Sequence, residues 1–185
     1  MIIYYSKRER RLWILALVVI LGIYATIGLA GSMAHFLRAR NLLENTFFFT
    51  FLLVVAVIIA NGLRKKTSTN EIWLQIGVFL VFITITLRIE TTPEHRTHLY
   101  EYGLLALIIY EALRERALNG GKVAKPALMA ILITVILGWL DEGIQAIWPN
   151  RHYDIVDVGF NALAAVLAIS ANLTLRWLRS KLIRS

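Results

Sequence analysis

Six runs of apolar residues recur along the chain, and each is bounded by charged or polar residues. They cover residues 12–30, 47–63, 72–89, 97–113, 127–147 and 155–175. A helix needs roughly 17–25 apolar residues to cross the hydrocarbon of a bilayer, so each run is long enough to do so. The pattern predicts an all-α polytopic membrane protein, a six-transmembrane-helix bundle that forms a single domain over residues 1–185.

The charges between these runs predict an orientation. Fifteen of the 20 lysines and arginines lie before the first run, between the second and third, between the fourth and fifth, or after the sixth. Because lysine and arginine are enriched in cytoplasmic loops, both termini are predicted to be cytoplasmic. We therefore expect a multi-pass protein of the plasma (inner) membrane.

Composition narrows the class of partner and of chemistry. The chain is 58% hydrophobic, has a formal charge of +8 and has no cysteine. A charge of this sign would suggest nucleic acid as the partner of a soluble protein. Here the basic residues are spread between apolar runs, so membrane lipids are expected and nucleic acid is not. The absence of cysteine excludes disulfides, thiolate nucleophiles and cysteine metal sites, and no cofactor is predicted.

Polar residues that can do chemistry gather on the predicted outer side. All four histidines and eight of the 12 acidic residues fall there. Many recur at three- or four-residue spacing, which places them on one helix face. The candidates for a polar pocket are His98, Glu101, Tyr102, Glu142, Gln145, Asp154, Asp157 and Asn161. Ionisable groups inside a membrane are costly and usually mark function, so the segment 142–161 is the predicted functional region.

Arg151 completes this candidate pocket. Its planar guanidinium can hold a carboxylate or a phosphate through two parallel hydrogen bonds. Two interpretations stay open. The arginine either bridges Asp157, Asp154 or Glu142 and locks the last two helices together, or it contacts a ligand. The two roles are compatible, because a lock can also shape a pocket.

A metal site is a weaker hypothesis from the sequence. Histidine and carboxylate side chains suit zinc or another divalent ion, and the possible ligands are His95, His98, Glu101, His152 and Asp157. No H-E-x-x-H signature is present, and the ligands would have to assemble from three helices. No catalytic residue can be named either, because no outer serine or threonine lies in a recognisable nucleophile elbow.

The motifs in about residues 95–168 resemble the VanZ-like family of bacterial membrane proteins. That family has a His followed by an aromatic or acidic residue and Tyr at the start of one helix, then Glu-x-x-Gln, Arg, Asp and Asn at fixed spacings. The matching positions are His98, Glu101, Tyr102, Glu142, Gln145, Arg151, Asp157 and Asn161. The family is named for an accessory protein that lowers sensitivity to teicoplanin-type glycopeptide antibiotics. The resemblance therefore implies a protein of the bacterial cell envelope, similar to that glycopeptide-resistance protein.

Three functional hypotheses follow. The leading one is a non-transporting envelope protein whose outward polar pocket binds an anionic or polar headgroup, in a lipid-linked cell-wall precursor or a glycopeptide. Arg151, His98 and Glu101 would contact that headgroup. The second is a membrane-embedded hydrolase or transferase that uses His98 with Glu142 or Asp157 as acid–base groups. The third is a structural subunit or assembly factor of a larger membrane-protein complex. A role without catalysis is preferred among these.

Overall fold

The computed structural model describes residues 4–40, 42, 93–148 and 153–182, together with eight single helical positions between residues 69 and 84. Its helices are α1 (Lys7–Ala39), α2 (Pro93–Leu118), α3 (Pro126–Ile147) and α4 (Ile155–Leu182). Every regular element in the described part of the chain is helical, which confirms the all-α prediction.

The prediction of a six-transmembrane bundle with both termini cytoplasmic is wrong. Among the described residues, two helices are long and apolar enough to cross a membrane, at Pro126–Ile147 and Ile155–Leu178. The run at 97–113 belongs to α2, which carries seven acidic or basic residues along its 26 positions. Charged side chains are costly in hydrocarbon, so α2 does not qualify as a span. The run at 47–63 lies outside the described residues, and only single positions of 72–89 are described.

Short polar residues fix where two of the helices begin. At the start of α1, the Glu9 N–H donates to Ser6 Oγ at 2.9 Å, and the Tyr5 N–H donates to Glu9 Oε2 at 2.7 Å. These reciprocal bonds satisfy backbone donors in the manner of a capping box. At the start of α4, the Val156 N–H donates to Asp154 Oδ1 at 2.8 Å, so Asp154 caps that helix.

A short turn joins α2 to α3 and makes the two helices antiparallel neighbours that pack along each other. The turn passes through Gly120, whose φ of +91° lies in the left-handed region that favours glycine. The following residue, Gly121, donates its N–H to the Arg116 carbonyl at 2.9 Å and closes the end of α2. Pro126 then begins α3, where its missing N–H removes no helical hydrogen bond.

The chain divides into two compact units. The first comprises Met1–Leu29 and Thr91–Ser170, and it holds α2, α3 and the beginnings of α1 and α4. Its larger buried apolar side chains are Leu99, Tyr102, Leu105, Ile109 and Ile169. The second unit comprises Ala30–Glu90 and Ala171–Ser185. In its described part, Arg176 Nε donates to Asn172 Oδ1 at 2.7 Å, one turn apart on α4.

Ion pairs hold the first turn of α1 against α2. Arg116 Nε lies 2.6 Å from Glu9 Oε1, and the Glu9 side chain is fully buried. Ser6 Oγ donates to Glu115 Oε1 at 2.9 Å, and Arg8 Nη1 lies 3.1 Å from Glu115 Oε2. The polar start of α1 is therefore bonded to the polar end of α2, which accounts for several of the charges that α2 carries.

The environment of Glu9 lowers the pKa of its carboxyl. Burial acts to raise this pKa, because it disfavours the charged form. The hydrogen bond from the Tyr5 N–H and the hydrogen bond and charge of Arg116 act in the opposite direction and together outweigh burial. Glu9 is thus held in its ionised form.

The faces of α3 are reversed relative to a helix of a water-soluble protein. Its buried positions hold small or polar residues, namely Ala130, Thr134, Gly138, Asp141, Glu142 and Gln145. Its exposed positions include large apolar residues, namely Leu128, Leu132, Ile136, Trp139, Leu140 and Ile147. This distribution is typical of a helix that presents an apolar face to lipid and packs through small and polar residues.

Candidate functional site

Helix α2 contributes an imidazole and a phenol from one face. His98 and Tyr102 are one turn apart, so both point to the same side of the helix. Both residues are buried, and their rings stack with centroids 6.1 Å apart and planes inclined by 21°. The sequence predicted this pair. Glu101, also predicted, is half-buried at the adjoining position.

Helix α3 contributes a polar stripe that includes one residue the sequence analysis missed. Asp141, Glu142 and Gln145 are all buried near the end of this helix. Glu142 and Gln145 were predicted, whereas Asp141 was not. The signal for Asp141 is present in the sequence, because Gly138, Asp141 and Gln145 follow one another at steps of three and four residues.

Helix α4 contributes Asp157 and Asn161, which are one turn apart and both buried. Asn161 lies against Gly138 of α3 so closely that a Cβ at Gly138 would be 2.8 Å from Asn161 Cβ. Small residues permit such close helix approach. Gly138, a second residue that the sequence analysis missed, therefore brings α4 up to the polar stripe of α3.

The imidazole of His98 lies between two carboxylates from different helices. Its Nδ1 is 3.7 Å from Asp141 Oδ2, and its Nε2 is 3.9 Å from Asp157 Oδ2. Both distances lie within ion-pair range and are longer than a direct hydrogen bond. A histidine in this setting can turn one nitrogen toward a ligand while an acid orients the other.

Hydrogen bonds fix the carboxylate of Glu142 from two sides. Gln145 Nε2 donates to Glu142 Oε1 at 2.9 Å, and the Asp154 N–H donates to Glu142 Oε2 at 3.1 Å. The second bond ties the end of α3 to the start of α4. The Asp154 carboxylate itself caps α4, so the predicted residue Asp154 lies at the edge of the cluster in a structural role.

Three of these side chains converge closely enough to hold one metal ion. One ligand atom from each of His98, Glu142 and Asp157 lies within 4.8 Å of the other two, and all three residues are buried. They come from three different helices. His98 and Asp157 were among the predicted metal ligands, whereas Glu142 was predicted as a pocket residue and not as a ligand. Imidazole nitrogen and carboxylate oxygen are the donors that zinc and related divalent ions accept.

The structure thus brings together most of the predicted pocket. Six predicted residues form one buried cluster with Asp141, namely His98, Tyr102, Glu142, Gln145, Asp157 and Asn161. Arg151 and His152 lie outside the described residues, as does the side chain of His95. The predicted arginine contact and the metal-ligand roles of His95 and His152 therefore stay predictions.

The fold and the cluster define a helical protein with a buried histidine–carboxylate site at one end of two membrane-length helices. Comparisons of the chain with protein-family models, with curated proteins and with solved structures give no match. The resemblance to the VanZ-like family consequently stays a prediction from the motifs.

Proposed function

We propose that the protein is an integral membrane protein in which α3 and α4 cross the bilayer as an antiparallel hairpin. Both helices have the required length and apolar composition. Their exposed faces carry large apolar side chains such as Leu132 and Ile136 on α3 and Val166 on α4. Exposed apolar surface of this extent would be unfavourable in water and is suited to lipid.

The charges at the two ends of this hairpin support an orientation. Lys122 and Lys125 precede α3, and Arg176, Arg179 and Lys181 lie in the last turns of α4. The connection between the helices, residues 148–154, contains a single basic residue. By the positive-inside rule, the basic ends lie at the cytoplasmic surface of the plasma membrane and the connection lies outside. The polar cluster is next to that connection and therefore faces the outer surface.

The function that we infer for this cluster is the binding of a polar headgroup on a lipid-like or lipid-linked molecule. The observation that carries it is the burial of His98, Asp141, Glu142 and Asp157 together at one end of an apolar hairpin. Burying charged groups costs several kcal/mol per ion. Apolar packing can hold two helices together without this cost. The presence of four ionisable side chains in one place therefore favours a ligand site.

The amide of Asn161 gives further support. Asn161 is fully buried, and neither its Oδ1 nor its Nδ2 has a hydrogen-bond partner among the described residues. A buried amide without partners costs roughly 1–3 kcal/mol, which a polar ligand group or a bound water would offset. In the VanZ-like interpretation, the ligand is the headgroup of a lipid-linked cell-wall precursor or a glycopeptide, and Arg151 and Glu101 contact it together with His98.

Native mass spectrometry of the protein in mild detergent tests this proposal. We expect wild-type protein to retain a lipid-like or glycan-bearing mass that Asn161→Ala and Arg151→Ala lose. Asn172→Ala is the matched control, since Asn172 lies on the same helix and bonds to Arg176 away from the cluster. Equal retention by the wild type and all three variants would refute headgroup binding at this cluster.

A second candidate function is acid–base catalysis on a lipid-linked substrate. The placement of His98 between Asp141 and Asp157 favours it, because a carboxylate on one ring nitrogen orients the other nitrogen for proton transfer. A hydrolase or transferase of this kind would show a bell-shaped dependence of kcat/KM on pH and would lose turnover in His98→Gln. A flat pH profile would contradict it.

A further inference from the structure

We propose that His98, Glu142 and Asp157 form a binding site for one divalent metal ion of the zinc class. The ligand atoms of these residues lie within 4.8 Å of one another in the buried cluster. Metal binding goes beyond the proposed headgroup function and does not depend on it, because the three protein ligands define the site by themselves.

The geometry requires only a small contraction around the ion. Zinc binds nitrogen and carboxylate oxygen at about 2.0–2.2 Å, so two ligands in a tetrahedral site are about 3.4 Å apart. The largest separation of 4.8 Å would therefore shorten by about 1.4 Å, shared between two side chains. Rotation about side-chain torsions supplies such shifts without moving the helices.

The residues around the three ligands match the supporting shell of a metal site. Asp141 Oδ2 lies 3.7 Å from His98 Nδ1, which leaves Nε2 to face Asp157 and an ion between them. Metal-binding histidines usually donate their other nitrogen to a carboxylate, which fixes the ring and increases its basicity. Gln145 Nε2 and the Asp154 N–H each donate to one oxygen of Glu142, and these bonds orient its carboxylate in the cluster.

The charge of the cluster also favours a cation. Asp141, Glu142 and Asp157 bring three carboxylates next to one imidazole. The neighbouring sequence has no lysine or arginine between Arg96 and Arg114, along α3, or on α4 before Arg176, and the connection between α3 and α4 has one, Arg151. A divalent ion would offset most of the negative charge of the carboxylates.

The types of ligand atom narrow the choice of metal ion. Calcium and magnesium prefer shells made of oxygen, whereas imidazole suits zinc and other first-row ions. Three protein ligands leave at least one coordination position open, which is typical of a site that binds water or a substrate. Asn161 lies one turn beyond Asp157 on α4, and its amide, which has no hydrogen-bond partner among the described residues, would hydrogen-bond such a water. If the headgroup proposal is also correct, a phosphate or hydroxyl oxygen would take the open position.

Zinc binding by the full-length protein in detergent tests the site. After chelation and re-equilibration with Zn²⁺, we expect one tightly held zinc per chain by elemental analysis, with affinity from competition against a chromogenic chelator. Asp157→Asn, Glu142→Gln and His98→Gln should each weaken binding by more than about 100-fold. Asp141→Asn should weaken it by about 10–100-fold, as changes to supporting residues do.

Asp154→Asn is the matched control for Asp157→Asn. The two substitutions make the same chemical change three residues apart, and asparagine caps a helix as well as aspartate does. The control should keep wild-type affinity. An equal loss of zinc affinity in the two variants would overturn the proposal. A wild-type protein that retains no zinc would also overturn it, and the Arg151 guanidinium would then be the expected cation of the cluster.

Two further readouts keep the test decisive. Co²⁺ bound to wild-type protein should show the visible absorption of a four- or five-coordinate site with nitrogen and oxygen ligands, and the absence of that spectrum would also overturn the proposal. This readout needs no variant to fold. Zinc and lipid are both measured before and after delipidation. Bound zinc in protein that holds no lipid before delipidation would contradict headgroup binding and still support the metal site.

Discussion

The close approach of α3 and α4 at Gly138 predicts a large effect from a single methyl group. In Gly138→Ala, the added Cβ would lie 2.8 Å from both Cβ and Nδ2 of Asn161 and 3.1 Å from its Cγ. The Asn161 Cβ is attached directly to the backbone of α4, so it cannot swing away as the end of a long side chain would. Relief requires the two helices to separate near the polar cluster.

The expected change in the free energy of unfolding is the sum of two opposing contributions. Overpacking of a close contact costs about 1–3 kcal/mol, and replacing glycine by alanine within a helix gains about 1 kcal/mol. Gly143→Ala on the same helix isolates the second term, because nothing lies within 4 Å of a Cβ at Gly143. The difference between the two variants is therefore the overpacking term alone. For a chain of this size it corresponds to a Tm lower by roughly 2–12 °C in Gly138→Ala than in Gly143→Ala.

Thermal unfolding in detergent, followed by tryptophan fluorescence, measures this difference. Asn161→Gly removes the three atoms nearest to the new methyl, so adding it to Gly138→Ala should recover more than half of the overpacking term. The recovery appears as non-additivity in a double-mutant cycle. Tm values for Gly138→Ala and Gly143→Ala that agree within about 1 °C would refute the close approach of α3 and α4 and the arrangement of the cluster that depends on it.

Three further predictions concern contacts around the site. Because the pKa of Glu9 is lowered in the folded protein, its contribution to stability is complete above the ordinary carboxyl pKa of about 4.3 and is lost as pH falls through the folded-state pKa. Glu9→Gln should therefore make Tm less dependent on pH in that acidic range. An unchanged pH dependence of Tm would contradict the Glu9–Arg116 contact. Asp154→Ala removes the cap of α4 and should lower the free energy of unfolding by about 1 kcal/mol, which corresponds to a Tm lower by roughly 2–4 °C. Asp154→Asn keeps a capping side chain and should leave Tm unchanged. Tyr24→Phe removes the hydrogen bond that Tyr24 Oη donates to the Leu137 carbonyl at 2.8 Å and should cost about 1 kcal/mol in chemical denaturation; an unchanged midpoint would argue against packing of α1 on α3.

Local patterns in the sequence predicted the last two helices closely. The apolar runs at 127–147 and 155–175 correspond to α3 at Pro126–Ile147 and α4 at Ile155–Leu182. Proline at the start of α3 and an aspartate cap before α4 are strong local signals. Glu142, Gln145, Asp157 and Asn161, which are buried on these helices, were predicted to share helix faces because they recur at spacings of three or four residues.

Tertiary contacts account for what the sequence did not predict. Asp141 acquires its importance from His98 on another helix, and the spacing of residues along α3 does not reveal that partner. The polar C-terminal end of α2 is explained by Glu9 and Ser6 of α1, more than 100 positions away along the chain. The six predicted spans became two candidates for a different reason: α2 carries too many charges, and the run at 47–63 and most of the run at 72–89 lie outside the described residues.

The most direct test of the account is a native mass spectrum of wild-type protein beside Asp157→Asn, both purified in mild detergent after equilibration with Zn²⁺. The central claim is that the buried cluster of three helices is a ligand site. It predicts that the wild-type mass includes one zinc ion and a polar-lipid adduct, and that Asp157→Asn loses the ion while remaining folded. Bare polypeptide masses for both proteins, with a lower Tm for the variant, would contradict the claim and identify the cluster as a structural contact between helices.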